Sequence, residues 1–143
     1  MTRKDFLKNI GVGAAFVLTV PCLHSCGSDD DSGEMTPSAG PQNFTVDLDA
    51  GINSALLATG GFIVRNKVVV ALNVDDEFVA ASQVCSHEGN EEVSYNSATN
   101  VWLCSVHGAQ FAVADGEPQN DVTNRNLRIY TVTRSGNILT VNG

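Results

Sequence analysis

Cys85-Ser86-His87-Glu88-Gly89 and Cys104-Ser105-Val106-His107-Gly108 are the two stretches on which the reading of this 143-residue chain turns. Sixteen residues separate His87 from Cys104. Thiolate and imidazole are soft or borderline donors, and two such pairs in two short clusters make a metal site. Zinc can be held by two Cys and two His. The single residue between Cys85 and His87, however, is a shorter gap than zinc sites usually have. The chain has two further Cys, Cys22 and Cys26, and one further His, His24, all near the N-terminus. An exported protein with two Cys in its folded part forms one disulfide by default. The histidines paired with Cys85 and Cys104 argue against that default here.

Outward from the two clusters, the chain reads as strands. Phe44-Thr45-Val46-Asp47-Leu48 alternates apolar and polar residues, the pattern of a half-buried strand. Val68 to Leu72 and Phe78 to Gln83 flank the polar run Asn73-Val74-Asp75-Asp76-Glu77, which predicts a hairpin whose second strand runs into Cys85. Glu92 to Tyr95 and Val101 to Leu103, joined by a turn over residues 96–100, predict a second hairpin that delivers Cys104. Leu127 to Thr133 and Ile138 to Val141 close on Ser135-Gly136-Asn137 as a third. Gly60-Gly61 is a turn signal, and no helical period follows residue 26. Trp102 and Phe111 are assigned to the core. The fold class is all-β.

The first 25 residues read as an address. Arg3, Lys4 and Lys8 form a basic start, and Ile10 to Val20 is an apolar stretch of eleven residues. A spanning helix needs about 20 residues, so this is a signal peptide rather than a membrane span. Residues 27 to 43 are rich in Gly, Ser, Asp, Pro and Gln and read as a flexible, acidic tether. The domain proper is expected over 44–143. Cleavage before Cys26 leaves 118 residues with a net charge of −10. That balance excludes a nucleic-acid partner, which requires clustered Lys and Arg.

Three resemblances add to this. Leu23-His24-Ser25-Cys26 resembles a bacterial lipobox, which implies cleavage before Cys26 and lipidation of its sulfur. Thr2-Arg3-Lys4-Asp5-Phe6-Leu7-Lys8 is similar to a twin-arginine export signal, with Lys4 in the place of the second arginine. The third is carried by Cys85-x-His87-x-Gly89 and Cys104-x-x-His107-Gly108, supported by Phe111 and Gly116 further on. Together these positions resemble the Rieske iron–sulfur family over roughly Phe44 to Gly143. The resemblance implies a small antiparallel barrel or sandwich with an inserted cluster-binding subdomain. It implies a [2Fe–2S] cluster, with Cys85 and Cys104 on one iron and His87 and His107 on the other. Replacing two thiolates by neutral imidazoles removes negative charge and raises the potential relative to an all-cysteine cluster.

The chain departs from the high-potential members of that family. Glu88 and Val106 stand where those members carry a disulfide between the cluster loops. Ala109 and Phe111 stand where they place hydroxyl donors. Glu117-Pro118-Gln119-Asn120-Asp121 replaces the family's loop that covers the cluster. Donors to cluster sulfur stabilise the reduced state, so their loss implies a potential in the lower part of the Rieske range, which spans roughly −150 to +300 mV. The leading expectation is a membrane-tethered one-electron carrier of low-to-moderate potential, exported and anchored through Cys26, that works with a redox partner protein and is not an enzyme by itself. Two other readings stand beside it. One is the iron–sulfur subunit of a quinol- or oxyanion-oxidising complex. The other is a non-redox surface lipoprotein stabilised by zinc.

Overall fold

The computed structural model describes residues 36–143. The predicted signal peptide, Cys26 and the first part of the tether lie outside the described residues. Nine strands follow one another: β1 (Asn43–Asp47), β2 (Phe62–Arg65), β3 (Val68–Leu72), β4 (Phe78–Ser82), β5 (Val93–Asn96), β6 (Val101–Cys104), β7 (Gln110–Ala112), β8 (Ile129–Ser135) and β9 (Ile138–Asn142). A 3₁₀ helix, Gly51–Leu57, lies between the first two. Six strands form an antiparallel sheet in the order β1-β9-β8-β4-β3-β2, and β5-β6-β7 form a second, smaller sheet. The ends of the larger sheet curl toward each other: Arg65 Nη1 donates to the Thr45 carbonyl at 2.8 Å. This is the antiparallel, half-closed barrel with an inserted subdomain that the resemblance implies.

β3 explains why the protein has two cores. Its residues Val68 to Ala71 are all fully buried. Successive side chains on a strand point to opposite faces, so a strand buried on both faces reads as a continuous apolar run. Val68 and Val70 join Val46, Leu56, Ala80, Tyr130, Leu139 and Val141 inside the larger sheet. Val69 and Ala71 face the other way and join Ala81, Trp102, Phe111 and both Cys85 and Cys104. The β3–β4 hairpin is thus the wall between the barrel core and the core under the Cys/His loops. Trp102 and Phe111 are fully buried cross-strand partners in that second core.

Three hairpins read from the sequence are present at nearly the expected boundaries. β2, β7 and the 3₁₀ helix are not anticipated by the sequence patterns. β2 is short, and its turn to β3 is Asn66-Lys67, with φ of 52° and 61° at the two residues. Two consecutive positive φ values define the tight turn that suits a twisted hairpin. Without a glycine, that turn leaves little trace in composition.

Residues 39–42, within the stretch read as a tether, are attached to the domain. The Ala39 N–H donates to Ser82 Oγ at 2.9 Å, and the Tyr130 hydroxyl donates to the Gly40 carbonyl at 2.7 Å. Gln42 and Gly143 exchange backbone hydrogen bonds. These attachments use backbone groups, which a polar composition neither reveals nor forbids.

Candidate metal centre

The two Cys/His loops are built alike. β4 runs on through Val84 to Cys85, whose N–H donates to the Asn90 carbonyl at 2.8 Å, while the Gly89 N–H returns to the Cys85 carbonyl at 2.8 Å. Cys104 ends β6. Its N–H donates to the Ala109 carbonyl at 2.9 Å, and the Gly108 N–H returns to the Cys104 carbonyl at 2.9 Å. Gly89 and Gly108 have φ of 77° and 73°. This left-handed conformation, four residues after each cysteine, is what closes the loops and what calls for glycine. The glycine N–H groups are therefore engaged in loop closure. At Cys85 the N–H groups that reach the sulfur are instead those of His87 and Glu88.

Cys85 and Cys104 are almost fully buried, both are free thiols, and their side chains interact. Burial, together with the neighbouring Cys104, pushes the Cys85 thiol up from 9.0 to about 11, against the lowering effect of the two N–H donors. A thiolate here needs a cation beside it. The imidazoles of His87 and His107 meet edge to face, with centroids 4.9 Å apart. His87 Nδ1 is buried and has no hydrogen-bond partner. A buried imidazole nitrogen without a partner is costly in an apolar setting and is the natural donor to a metal. His107 lies at the surface, its side chain 38% exposed, with Nε2 at 3.5 Å from Glu88 Oε2. The donor set is therefore two interior sulfurs below two outer imidazoles, and it fits a two-iron cluster with two thiolate and two imidazole ligands.

The structure brings His87 to His107 and Cys85 to Cys104, each pair across the two loops. It adds residues that the sequence pattern does not single out. Glu88, with His87 and His107, forms a trio whose ligand atoms lie within 4.8 Å of one another. Ser86, fully buried, donates its hydroxyl to the Arg125 carbonyl at 2.9 Å. Arg125 Nη1 donates to the His87 carbonyl at 3.4 Å. Asn120 Nδ2 donates to the Gly108 carbonyl at 2.8 Å. The segment from Glu117 to Asn126 thus holds both loops, although it lacks the family's usual covering sequence. Between it and the first loop lies an open groove of about 890 Å³, lined by His87, Glu88, Pro118, Asp121 and Arg125 among others. Asn120 and Arg125 carry no local signal, because both act through carbonyls brought close only by folding.

The sequence matches the Rieske [2Fe-2S] domain family over residues 51–131, more than half of the chain. Among solved structures, the chain is similar to the cyanobacterial plasma membrane Rieske protein PetC3 from Synechocystis PCC 6803. The two share 25% identity at a TM-score of 0.53, over 70% of this chain and 99% of that one. The ferredoxin of carbazole 1,9a-dioxygenase from Nocardioides aromaticivorans IC177 shares the fold, at 22% identity and a TM-score of 0.53, over 71% and 96% of the two chains. So does a chain of the complex of reduced oxygenase and oxidized ferredoxin in carbazole 1,9a-dioxygenase, at 22% identity and a TM-score of 0.53, over 71% and 93%. No curated protein matches the chain. The chain belongs to the Rieske family, whose domain binds a [2Fe–2S] cluster and serves electron transfer.

Proposed function

We propose that this protein is a membrane-tethered one-electron carrier in which Cys85 and Cys104 hold one iron and His87 and His107 the other. The observation that carries the assignment is the pair of like-built loops, with buried sulfurs inside and two imidazoles in contact outside. The cluster supplies a one-electron couple at the His-bound iron. The chain's own residues do the rest. The second core keeps water from Cys85 and Cys104. The half-exposed His107 offers a short route between the interior and a docked redox partner. Ala109 and Phe111 are fully buried and carry no donor side chain, which favours a potential in the lower part of the family range.

The lipobox-like Leu23-His24-Ser25-Cys26 supports export and anchoring through a lipid on Cys26. Among the described residues no helix is long and apolar enough to cross a membrane. A plasma-membrane Rieske protein among the structural relatives is compatible with membrane residence, and a ferredoxin paired with an oxygenase illustrates a redox-protein partner.

The test is to purify the protein anaerobically, count iron, sulfide and zinc, and record an electron paramagnetic resonance spectrum after dithionite reduction. Two irons, two sulfides and a Rieske-type signal are expected. Zinc alone, with no signal, in iron-replete preparations would overturn the redox assignment.

A further inference from the structure

Glu88 leaves the first loop directly after His87, yet its Oε2 lies 3.5 Å from Nε2 of His107 on the second. We propose that Glu88 is a positioning residue for electron transfer: it orients the His107 imidazole across the gap between the loops and lowers the reduction potential of the iron that His107 holds. This rests on the assignment of His107 as a ligand.

Three arguments carry it. The first concerns the ring. A carboxylate is an acceptor only, so the nitrogen it faces is the one that carries the proton. With the N–H on Nε2, Nδ1 is left as the unprotonated donor to the metal. Such outer carboxylate partners fix the tautomer and orientation of ligand histidines and make them more electron-rich. The second concerns charge. Two ferric ions, two sulfides, two thiolates and two neutral imidazoles sum to zero, and one added electron makes the centre negative. A carboxylate in contact with a ligand of the iron that takes the electron opposes that step. The Glu88 side chain is 57% exposed and reaches the imidazole from the solvent side.

The third concerns distance. At physiological salt the screening length is about 8 Å, so remote carboxylates are muted while a 3.5 Å contact is not. Glu88 is therefore placed to act on the potential from outside the ligand set.

The experiment is a redox titration of the full, cluster-loaded protein at 0.15 M salt, followed by electron paramagnetic resonance. Glu88→Gln, Glu88→Asp and Glu77→Gln are compared with the parent, and nitrogen couplings are read from the same reduced samples by pulsed methods. Glu77 lies in the exposed β3–β4 turn and controls for loss of one charge at a distance. Glu88→Gln is expected to favour reduction by about tenfold, which is about 59 mV for a one-electron couple. Glu88→Asp, which keeps the charge, should lie between Glu88→Gln and the parent, and Glu77→Gln should match the parent. Two nitrogen couplings together with an unmoved potential in Glu88→Gln would overturn the role of Glu88. So would an equal shift in Glu77→Gln. Fewer than two nitrogen couplings in the parent would instead remove the ligand assignment, and the proposal with it.

Discussion

At the scale of single residues, the site is arranged so that metal and proton compete. In the cluster-free protein the Cys85 thiol titrates at about 11 rather than 9.0, chiefly because it is buried. A group whose folded pKa is raised contributes stability that is complete below the unfolded value and is lost as pH rises through the folded one. Thermal melts of cluster-free protein should therefore show falling stability between about pH 9 and 11, and Cys85→Ser should flatten that fall. Iron binding requires the thiolate, so loading the site releases the proton. In the loaded protein Cys85→Ser should lose the visible absorption of the cluster. Gly116 is a second residue with no substitute. Its φ is 74°, and a Cβ there would lie 2.0 Å from the Leu127 carbonyl oxygen. The conformation alone costs a non-glycine residue about 1–3 kcal/mol, and the clash adds to it. Gly116→Ala should lower the melting temperature by several degrees or prevent folding.

At the scale of elements, two loops of the same closure are presented by strands from different sheets, β4 and β6. The spacing between Cys and His differs, one residue against two, while the glycine stands four residues after the cysteine in both. The closure fixes the loop, and the shifted histidine decides where each imidazole emerges. Beyond the strands that flank them, β4 and β5 for the first loop and β6 and β7 for the second, both loops take a further hold from outside. The segment from Glu117 to Asn126 supplies that hold, through Asn120 to Gly108 and through Ser86 and Arg125 to the first loop. Asn120→Ala removes a side chain that also accepts from the Gln110 N–H at 3.3 Å. Leaving such partners unmatched costs about 1–3 kcal/mol where they are buried. The expected outcome is a lower melting temperature and faster cluster loss, measured as bleaching in air, with little change in the far-ultraviolet spectrum. Unchanged bleaching would mean that the segment covers the loops without holding them.

At the scale of the whole molecule, the cluster subdomain is acidic. From Gln83 to Asn126 it carries Glu88, Glu91, Glu92, Asp115, Glu117 and Asp121 against Arg125 alone. Lys67, from outside this stretch, pairs with Glu91 at 2.6 Å. A field of one sign steers partners of the other, and salt weakens it. Electron transfer to a basic haem protein used as a probe should slow as ionic strength rises, in stopped-flow measurements. A rate indifferent to salt would show that this acidity serves solubility. The polar stretch ahead of β1 is fastened beside the first cluster loop: a Cβ on Gly89 would lie 3.4 Å from Pro37 Cβ. Tyr130 holds the Gly40 carbonyl, and Tyr130→Phe should cost about 1 kcal/mol in denaturant unfolding. If Cys26 is the lipid anchor, Cys26→Ala should move the protein from the membrane fraction to the soluble one, which fractionation and blotting would read.

The amino-acid sequence by itself determined the class of fold, three of the hairpins and the pairing of thiol with imidazole. These depend on local regularities: alternation in Phe44 to Leu48, the polar turn before Phe78, and the spacing within each Cys/His cluster. The buried run Val68 to Ala71 was legible as a strand. Only the tertiary structure decided that its two faces serve two cores, because alternation disappears when both faces are apolar. Likewise, Asn120, Arg125 and the docking of Ala39 and Gly40 act through backbone carbonyls and amides, which are the same in every residue and so leave no mark in composition. The contact of Glu88 with His107 joins residues that are far apart along the chain and that only loop closure brings together. Periodicity is a property of the chain, whereas the meeting of two loops is a property of the fold.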